Sequence, residues 1–231
     1  MTIKPITTDA SLVIALPMNE GSGTTVYDYS GNSNDGTITG SLNWTKTNYG
    51  GTYGVLFDDD VNDYISLPND LLISYSDGTI STWFNTTSGS ADHNAILVVT
   101  DTTNGISYYI IIRHSTTGYL EIFSRSVTNR WSFSTDSVVS FNEWHHLVWV
   151  KSGTDHTLYI DGVEVAITFT ETSDKGFYFD DFPVVVRYDI GSWFRATRLH
   201  AYVGTLNEFR FNNRIFSAEE AKAIYNQTYR I

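Results

Sequence analysis

The sequence predicts a single all-β domain, two antiparallel sheets of about six or seven strands each packed as a sandwich, with one short helix near the C-terminus. Short apolar and β-branched runs recur along the whole chain, separated by Gly, Asn, Asp and Ser, which is the signal of strands and turns. Tight-turn dipeptides stand between several of these runs. The length, 231 residues with 15% aromatic side chains and only 4 prolines, suits one large sandwich with an ordered core. A domain of that size buries roughly 70% of the surface its unfolded chain exposes. It needs no covalent staples, and with Cys 0 it has none.

In chain order, strands are expected at 12–16, 55–57, 64–67, 79–84 and 95–99, then at 107–113, 119–123, 131–134, 144–150, 157–160 and 163–167, and last at 182–186, 202–206 and 208–211. Asp161-Gly162 between Leu158-Tyr159-Ile160 and Val163-Glu164-Val165 has the chemistry of a two-residue hairpin. Thr117-Gly118 and Asp77-Gly78 read the same way. The polar stretch 86–90 is a loop between strands, not a linker. Ser217-Ala218-Glu219-Glu220 is a capping box. Ala221, Ile224 and Tyr225 follow at helical spacing, so this helix is expected to close one end of the sandwich. Residues 1–11 form an extension ahead of one domain, 12–231.

Charge narrows the partners. Asp+Glu 26 against Lys+Arg 14 gives a net charge of −12, which repels a phosphate backbone and an anionic membrane surface alike. No nucleic acid is expected as a partner, and no membrane insertion: the apolar runs are far short of the ~20 residues that span a bilayer. The N-terminal residues lack the apolar stretch of a secretory signal.

Several blocks, taken in order, resemble one family. Pro17-Met18-Asn19-Glu20-Gly21-Ser22-Gly23-Thr24 and Asp28-Tyr29-Ser30-Gly31-Asn32-Ser33-Asn34-Asp35-Gly36-Thr37 look like the opening of the laminin-G/pentraxin-like branch of the concanavalin A-like lectin/glucanase superfamily. Asp63-Tyr64-Ile65-Ser66-Leu67-Pro68, Gly78-Thr79-Ile80-Ser81-Thr82-Trp83-Phe84 and Trp144-His145-His146-Leu147-Val148 are similar to its middle strands. Gly204-Thr205-Leu206-Asn207-Glu208-Phe209-Arg210-Phe211 and the capping box are similar to its close. The resemblance runs from about Leu12 to Tyr225 and implies a jelly-roll sandwich. The stretch 170–200 departs from it by being longer and more aromatic, and a function particular to this protein could sit there.

The loop 28–36 offers Asp28, Asn32, Asn34 and Asp35 with glycines for sharp turns, the oxygen-rich composition that Ca²⁺ takes. The plainer reading is an Asx-rich loop that satisfies its own backbone. The resemblance implies a structural Ca²⁺ held by Asp28, Asn32 and Glu208. The acidic run 58–63 has Asp63 and Asn69 where an EF-hand needs Gly and Glu, so it reads as a solvated hairpin turn. His145 and His146 point to opposite faces of a strand and cannot share a metal. One is expected half-buried and hydrogen-bonded, the other in solvent. The glucanase branch would need paired carboxylates on one strand face. No such run exists, nor a nucleophile elbow, so an enzyme is not expected.

A binding or surface module is. Its likeliest ligand class by resemblance is carbohydrate, and Tyr178, Tyr188, Asp189, Trp193 and Arg195 have the aromatic and polar composition for sugar stacking. The alternative for these rings is core packing or contact with another protein subunit. The expected setting is extracellular or a virion surface. A lone surface-type module that starts at Met1 without an export signal suits a phage capsid decoration or tail-associated protein, whose partner is another subunit.

Overall fold

The computed structural model describes residues 9–47, 53–58, 60, 62–87, 94–102, 107–128, 130–183, 185–195 and 197–228, with the side chains of 194, 195 and 197–199 outside the description. Among these residues the strands are β1 (Leu12–Leu16), β2 (Thr25–Val26), β3 (Gly36–Thr39), β4 (Asn43–Lys46), β5 (Tyr53–Asp58), β6 (Tyr64–Leu67), β7 (Gly78–Thr86), β8 (Asn94–Asp101), β9 (Tyr109–His114) and β10 (Leu120–Arg125). They continue as β11 (Arg130–Thr135), β12 (His145–Ser152), β13 (Asp155–Ile160), β14 (Val163–Val165), β15 (Ile167–Thr172), β16 (Val186–Ile190), β17 (Trp193–Arg195), β18 (Thr197–Leu199) and β19 (Val203–Asn212). A 3₁₀ turn covers Phe179–Asp181 and one helix, α1, covers Ala218–Thr228.

Among the described residues β17 and β18 pair with each other alone, while the other strands build an eight-stranded sheet, β14-β13-β12-β7-β19-β5-β4 with β1 also on β19, and a nine-stranded sheet, β15-β11-β10-β9-β8-β16-β6-β3-β2. Both are larger than expected, because short polar strands such as β3 and β4 carry little apolar signal. Alternation decides what each sheet buries. In β12, Leu147 and Trp149 enter the main core while Val148 and Val150 face outward. In β10, Leu120 and Ile122 enter it while Glu121 and Phe123 face out.

The Asp161-Gly162 hairpin forms as expected, with positive φ at both residues (53° and 74°). The expected strand 163–167 divides at Ala166, so that β14 edges one sheet and β15 the other. Asp77-Gly78 is no hairpin. It carries the chain from β6 in one sheet to β7 in the other, and Gly78 is needed because a Cβ there would lie 2.6 Å from the Phe211 ring. Of the segment expected as a strand at 182–186, Phe182, Pro183 and Val185 are not strand, β16 begins at Val186, and residue 184 lies outside the described residues. Phe177, Tyr178, Phe179 and Phe182 are buried in the main core.

The capping box holds: the Glu220 amide donates to Ser217 Oγ at 3.3 Å, and the Ser217 amide to Glu220 Oε2 at 2.9 Å. The helix does not cap an end of the sandwich. It lies on the outer face of the eight-stranded sheet, where Ala221 and Phe216 cover Val148, Val150 and Tyr159, and Tyr225 stacks on Trp83 at 5.5 Å. Those outward apolar residues are what draw it onto the face.

Candidate functional site

The residues expected to hold calcium meet only in part. Asp28 and Asn32 come together along the outer edge of β1. Asp28 Oδ1 accepts the amides of Ala15 (2.9 Å) and Ser30 (2.9 Å), and Oδ2 accepts the Ser30 hydroxyl (2.7 Å) and the Asn34 amide (2.9 Å). Asn32 Nδ2 donates to the carbonyls of Leu12 (2.9 Å) and Val13 (3.1 Å), and Asn34 Nδ2 to Val13 at 2.8 Å. Glu208 instead pairs with Arg210 at 2.9 Å, and burial pushes its carboxyl up. Four donors occupy the Asp28 carboxylate and Glu208 already has its cation, so the trio as placed does not fit a calcium cage, which needs oxygens free to converge. The loop acts instead as a side-chain partner for a sheet edge.

The acidic run differs from a solvated turn at one end. Asp59 and Val61 lie outside the described residues, Asp60 accepts from Asn62, and Asp63 is buried and accepts the Ser41 amide at 2.7 Å.

The aromatic segment divides. Tyr178 is fully buried, with Lys151 Nζ 4.8 Å from its ring centre. Tyr188 is fully buried and its hydroxyl accepts the Leu72 amide at 3.1 Å. Asp189 is buried in an ion pair with Arg187. These three are closed to a sugar ring, because the long segment fills the core. The side chain of Arg195 lies outside the described residues. Of the four whose side chains are described, Trp193 lines a surface cleft.

That cleft, of about 330 Å³, lies on the outer face of the nine-stranded sheet. Register assembles it. Glu121 sits opposite Arg113 on β9 and Ser134 on β11, and Phe123 opposite Ser132. Arg113 reaches Glu121 Oε2 from Nε (2.6 Å) and Nη2 (2.5 Å), and its guanidinium lies 4.6 Å over the Phe123 ring. Oε1 of Glu121 makes no hydrogen bond among the described residues. Ser132 Oγ and Thr170 Oγ1 are 2.7 Å apart on the far wall, beside Glu171. Trp193 packs over Ala95, Val98 and Ile111 and meets Tyr109 edge-on at 5.2 Å. The result is a half-buried Phe123 ring edged by a fixed cation–carboxylate pair and hydroxyls, with Trp193 buried at its base. No single segment announces it: the only sequence signal is period-two alternation placing Glu121, Phe123, Ser132 and Ser134 on one side.

A second constellation has hydrolase spacing. His145 Nδ1 donates to Asp161 Oδ2 at 2.8 Å, and its Nε2 lies 2.8 Å from Ser140 Oγ. Ser140 Oγ is closer still to Glu143 Oε2, at 2.6 Å. A carboxylate can only accept, so the serine's one proton is directed at Glu143 and away from the base that would have to remove it. Asp161 Oδ1 also accepts the His146 amide at 2.8 Å. The network pins the hairpin and its neighbouring loop. Neither histidine is left in solvent: His145 is half-buried in this network, and His146 is covered by the helix between Trp83 (5.0 Å) and Tyr225 (6.1 Å), where burial pulls it down to about 3.

Among the described residues no three His, Cys, Asp or Glu side chains group to hold a metal, and no helix is long and apolar enough to cross a membrane. A family model described as the concanavalin A-like lectin/glucanases superfamily matches residues 58–222. No curated protein sequence matches the chain. Solved structures share the fold at low identity. Domain 4 of AbnA, an extracellular arabinanase from Geobacillus stearothermophilus solved with arabinotriose, aligns over 93% of this chain and 98% of its own (TM-score 0.70, 15% identity). A Ruminococcus gnavus sialidase CBM40 bound to α2,3-sialyllactose aligns over 65% and 83% (TM-score 0.55, 16% identity). The binding domain of botulinum neurotoxin DC, solved with rat synaptotagmin II, aligns over 96% of this chain but only 52% of its own (TM-score 0.66, 10% identity).

Proposed function

The chain belongs to the concanavalin A-like lectin/glucanase superfamily, and from that premise we propose that it is a carbohydrate-binding module acting by recognition rather than catalysis. One observation carries the reading: the cleft where the half-buried Phe123 ring lies beside the Arg113–Glu121 pair and the Ser132 hydroxyl, over a buried Trp193. A sugar offers an apolar C–H face and a rim of hydroxyls, and a pocket with few fixed polar groups beside aromatic surface matches both. The AbnA domain, which was solved with arabinotriose, and the CBM40 bound to sialyllactose support this ligand class. An extracellular or virion-surface setting accords with the role, the AbnA enzyme being extracellular.

A glycan array followed by calorimetry on the best ligand tests it. Arg113→Ala and Phe123→Ala each remove one buried contact worth about 1–3 kcal/mol, so affinity falls roughly 10- to 100-fold while the circular dichroism spectrum stays that of the parent. Absence of binding to every glycan, or binding indifferent to both substitutions, overturns the proposal.

The second reading, docking to another protein subunit, has its own observation. β15 ends the nine-stranded sheet with mostly exposed side chains and, among the described residues, no strand on its outer edge. Such an edge is a template for a strand from another chain. The botulinum domain solved with synaptotagmin accords with a protein ligand.

A further inference from the structure

A different cleft, of about 400 Å³, opens where the β1 edge, the 28–36 loop and the turn after β6 meet. We propose that it is a separate binding site for a neutral saccharide, recognised by carboxamides. Four asparagines line it, Asn32, Asn34, Asn69 and Asn213, together with Tyr75, and among the described residues no charged one does. In a chain of net charge −12 an uncharged polar cleft is a distinct chemical environment, and the surrounding field disfavours anions.

Two of the amides are preorganised. Asn32 and Asn34 spend their Nδ2 groups on the Leu12 and Val13 carbonyls. Each therefore holds its Oδ1 in one orientation, and neither Oδ1 accepts a hydrogen bond among the described residues. The Asn69 and Asn213 side chains and the Tyr75 hydroxyl likewise make no hydrogen bond among the described residues. The Tyr75 ring is fixed by packing on Phe211 at 5.5 Å. Fixed carbonyl acceptors, two bifunctional amides and an aromatic edge suit adjacent hydroxyls, which donate and accept at once. A cation would use the oxygens alone and would leave the amide NH₂ groups turned away.

The test follows the side-chain NH₂ resonances of Asn69 and Asn213 in ¹⁵N-labelled protein titrated with neutral arabino-, xylo- and manno-oligosaccharides, sialyllactose and, separately, CaCl₂. Each ligand is taken to about 10 mM, enough to fill roughly 90% of a 1 mM site. Saturable shifts with a neutral oligosaccharide are expected, weakened at least 10-fold by Asn69→Ala and Asn213→Ala. Neither side chain holds the fold, so both variants should melt with the parent. Arg113→Ala should leave these shifts intact, which separates this site from the sheet-face cleft whether or not that cleft binds. Shifts with CaCl₂ alone, with sialyllactose alone, or with none of the ligands overturn the proposal.

Discussion

The four hydrogen bonds of Asp28 give it a structural job of its own. Among the described residues β1 pairs with β19 on one side only, and an open strand edge exposes unpaired amides and carbonyls. Asp28 takes the Ala15 amide, while Asn32 and Asn34 take the carbonyls of Leu12 and Val13, so side chains stand in for a missing strand. Replacing Asp28 by Ala strands three backbone donors at about 1–3 kcal/mol each where they are buried. Because these are only part-buried, a loss of about 3 kcal/mol in denaturant unfolding is expected, with no recovery on adding Ca²⁺. Full rescue of the parent's stability by Ca²⁺, or a parent melting temperature lowered by EDTA, would restore the ion. The composition of the loop was legible in the sequence. What its oxygens face was not, because the partner is the backbone of a strand 13 or more residues earlier, and composition cannot distinguish an amide from a cation.

Elements defined by local chemistry were the legible ones. The Asp161-Gly162 hairpin and the capping box each depend on residues within four positions of one another, and both formed. Asp77-Gly78 has the same local chemistry with a different outcome, because the strands that flank it belong to different sheets. The helix position is a long-range matter as well: its apolar stripe was readable, but its seat depends on Trp83, Val148, Val150 and Tyr159 facing outward. Tyr225 is the contact that ties helix to sheet, stacked on Trp83 and packed over Gly162. Tyr225→Ala should cost about 2–4 kcal/mol and uncover His146. The measurement is urea unfolding together with hydrogen exchange at the β12 amides. An unchanged midpoint and unchanged protection would mean that the helix is not part of the cooperative fold.

At the scale of the whole molecule, the sheet-face cleft draws on four strands and a later segment that only register brings together, so sequence alone reached just Trp193. The same burial that closes the sandwich makes its stability depend on pH. Burial holds His146 down to about 3 and His156 down to about 4, and lowers His114 as well. His156 is fixed neutral, its Nδ1 accepting from Trp149 Nε1 at 3.3 Å and its Nε2–H donating to the Lys175 carbonyl at 2.9 Å. In the unfolded chain these rings titrate near 6.5. Above that pH both states hold them neutral and the fold keeps its full stability. As pH falls from 6.5 toward 4, the unfolded chain takes up protons that the fold refuses, and stability drops. By pH 4.5, His146 and His156 should each account for a loss of about 2–3 kcal/mol. Glu208 and Asp63, whose carboxyls burial pushes up, act in the opposite direction and blunt the fall. At the alkaline end burial raises Tyr178, Tyr188 and Tyr202 above 10.0. Stability should therefore also fall as pH rises past 10, where the unfolded tyrosines ionise first. A plot of melting temperature against pH should show a plateau from about 6.5 to 10 and a drop of roughly 10 °C by pH 4.5. His156→Phe, which keeps a ring among Trp131, Trp149 and Phe133, should flatten the acid limb. A melting temperature constant from pH 7 to 4.5, or an acid limb as steep in that variant, would rule out buried histidine as the cause.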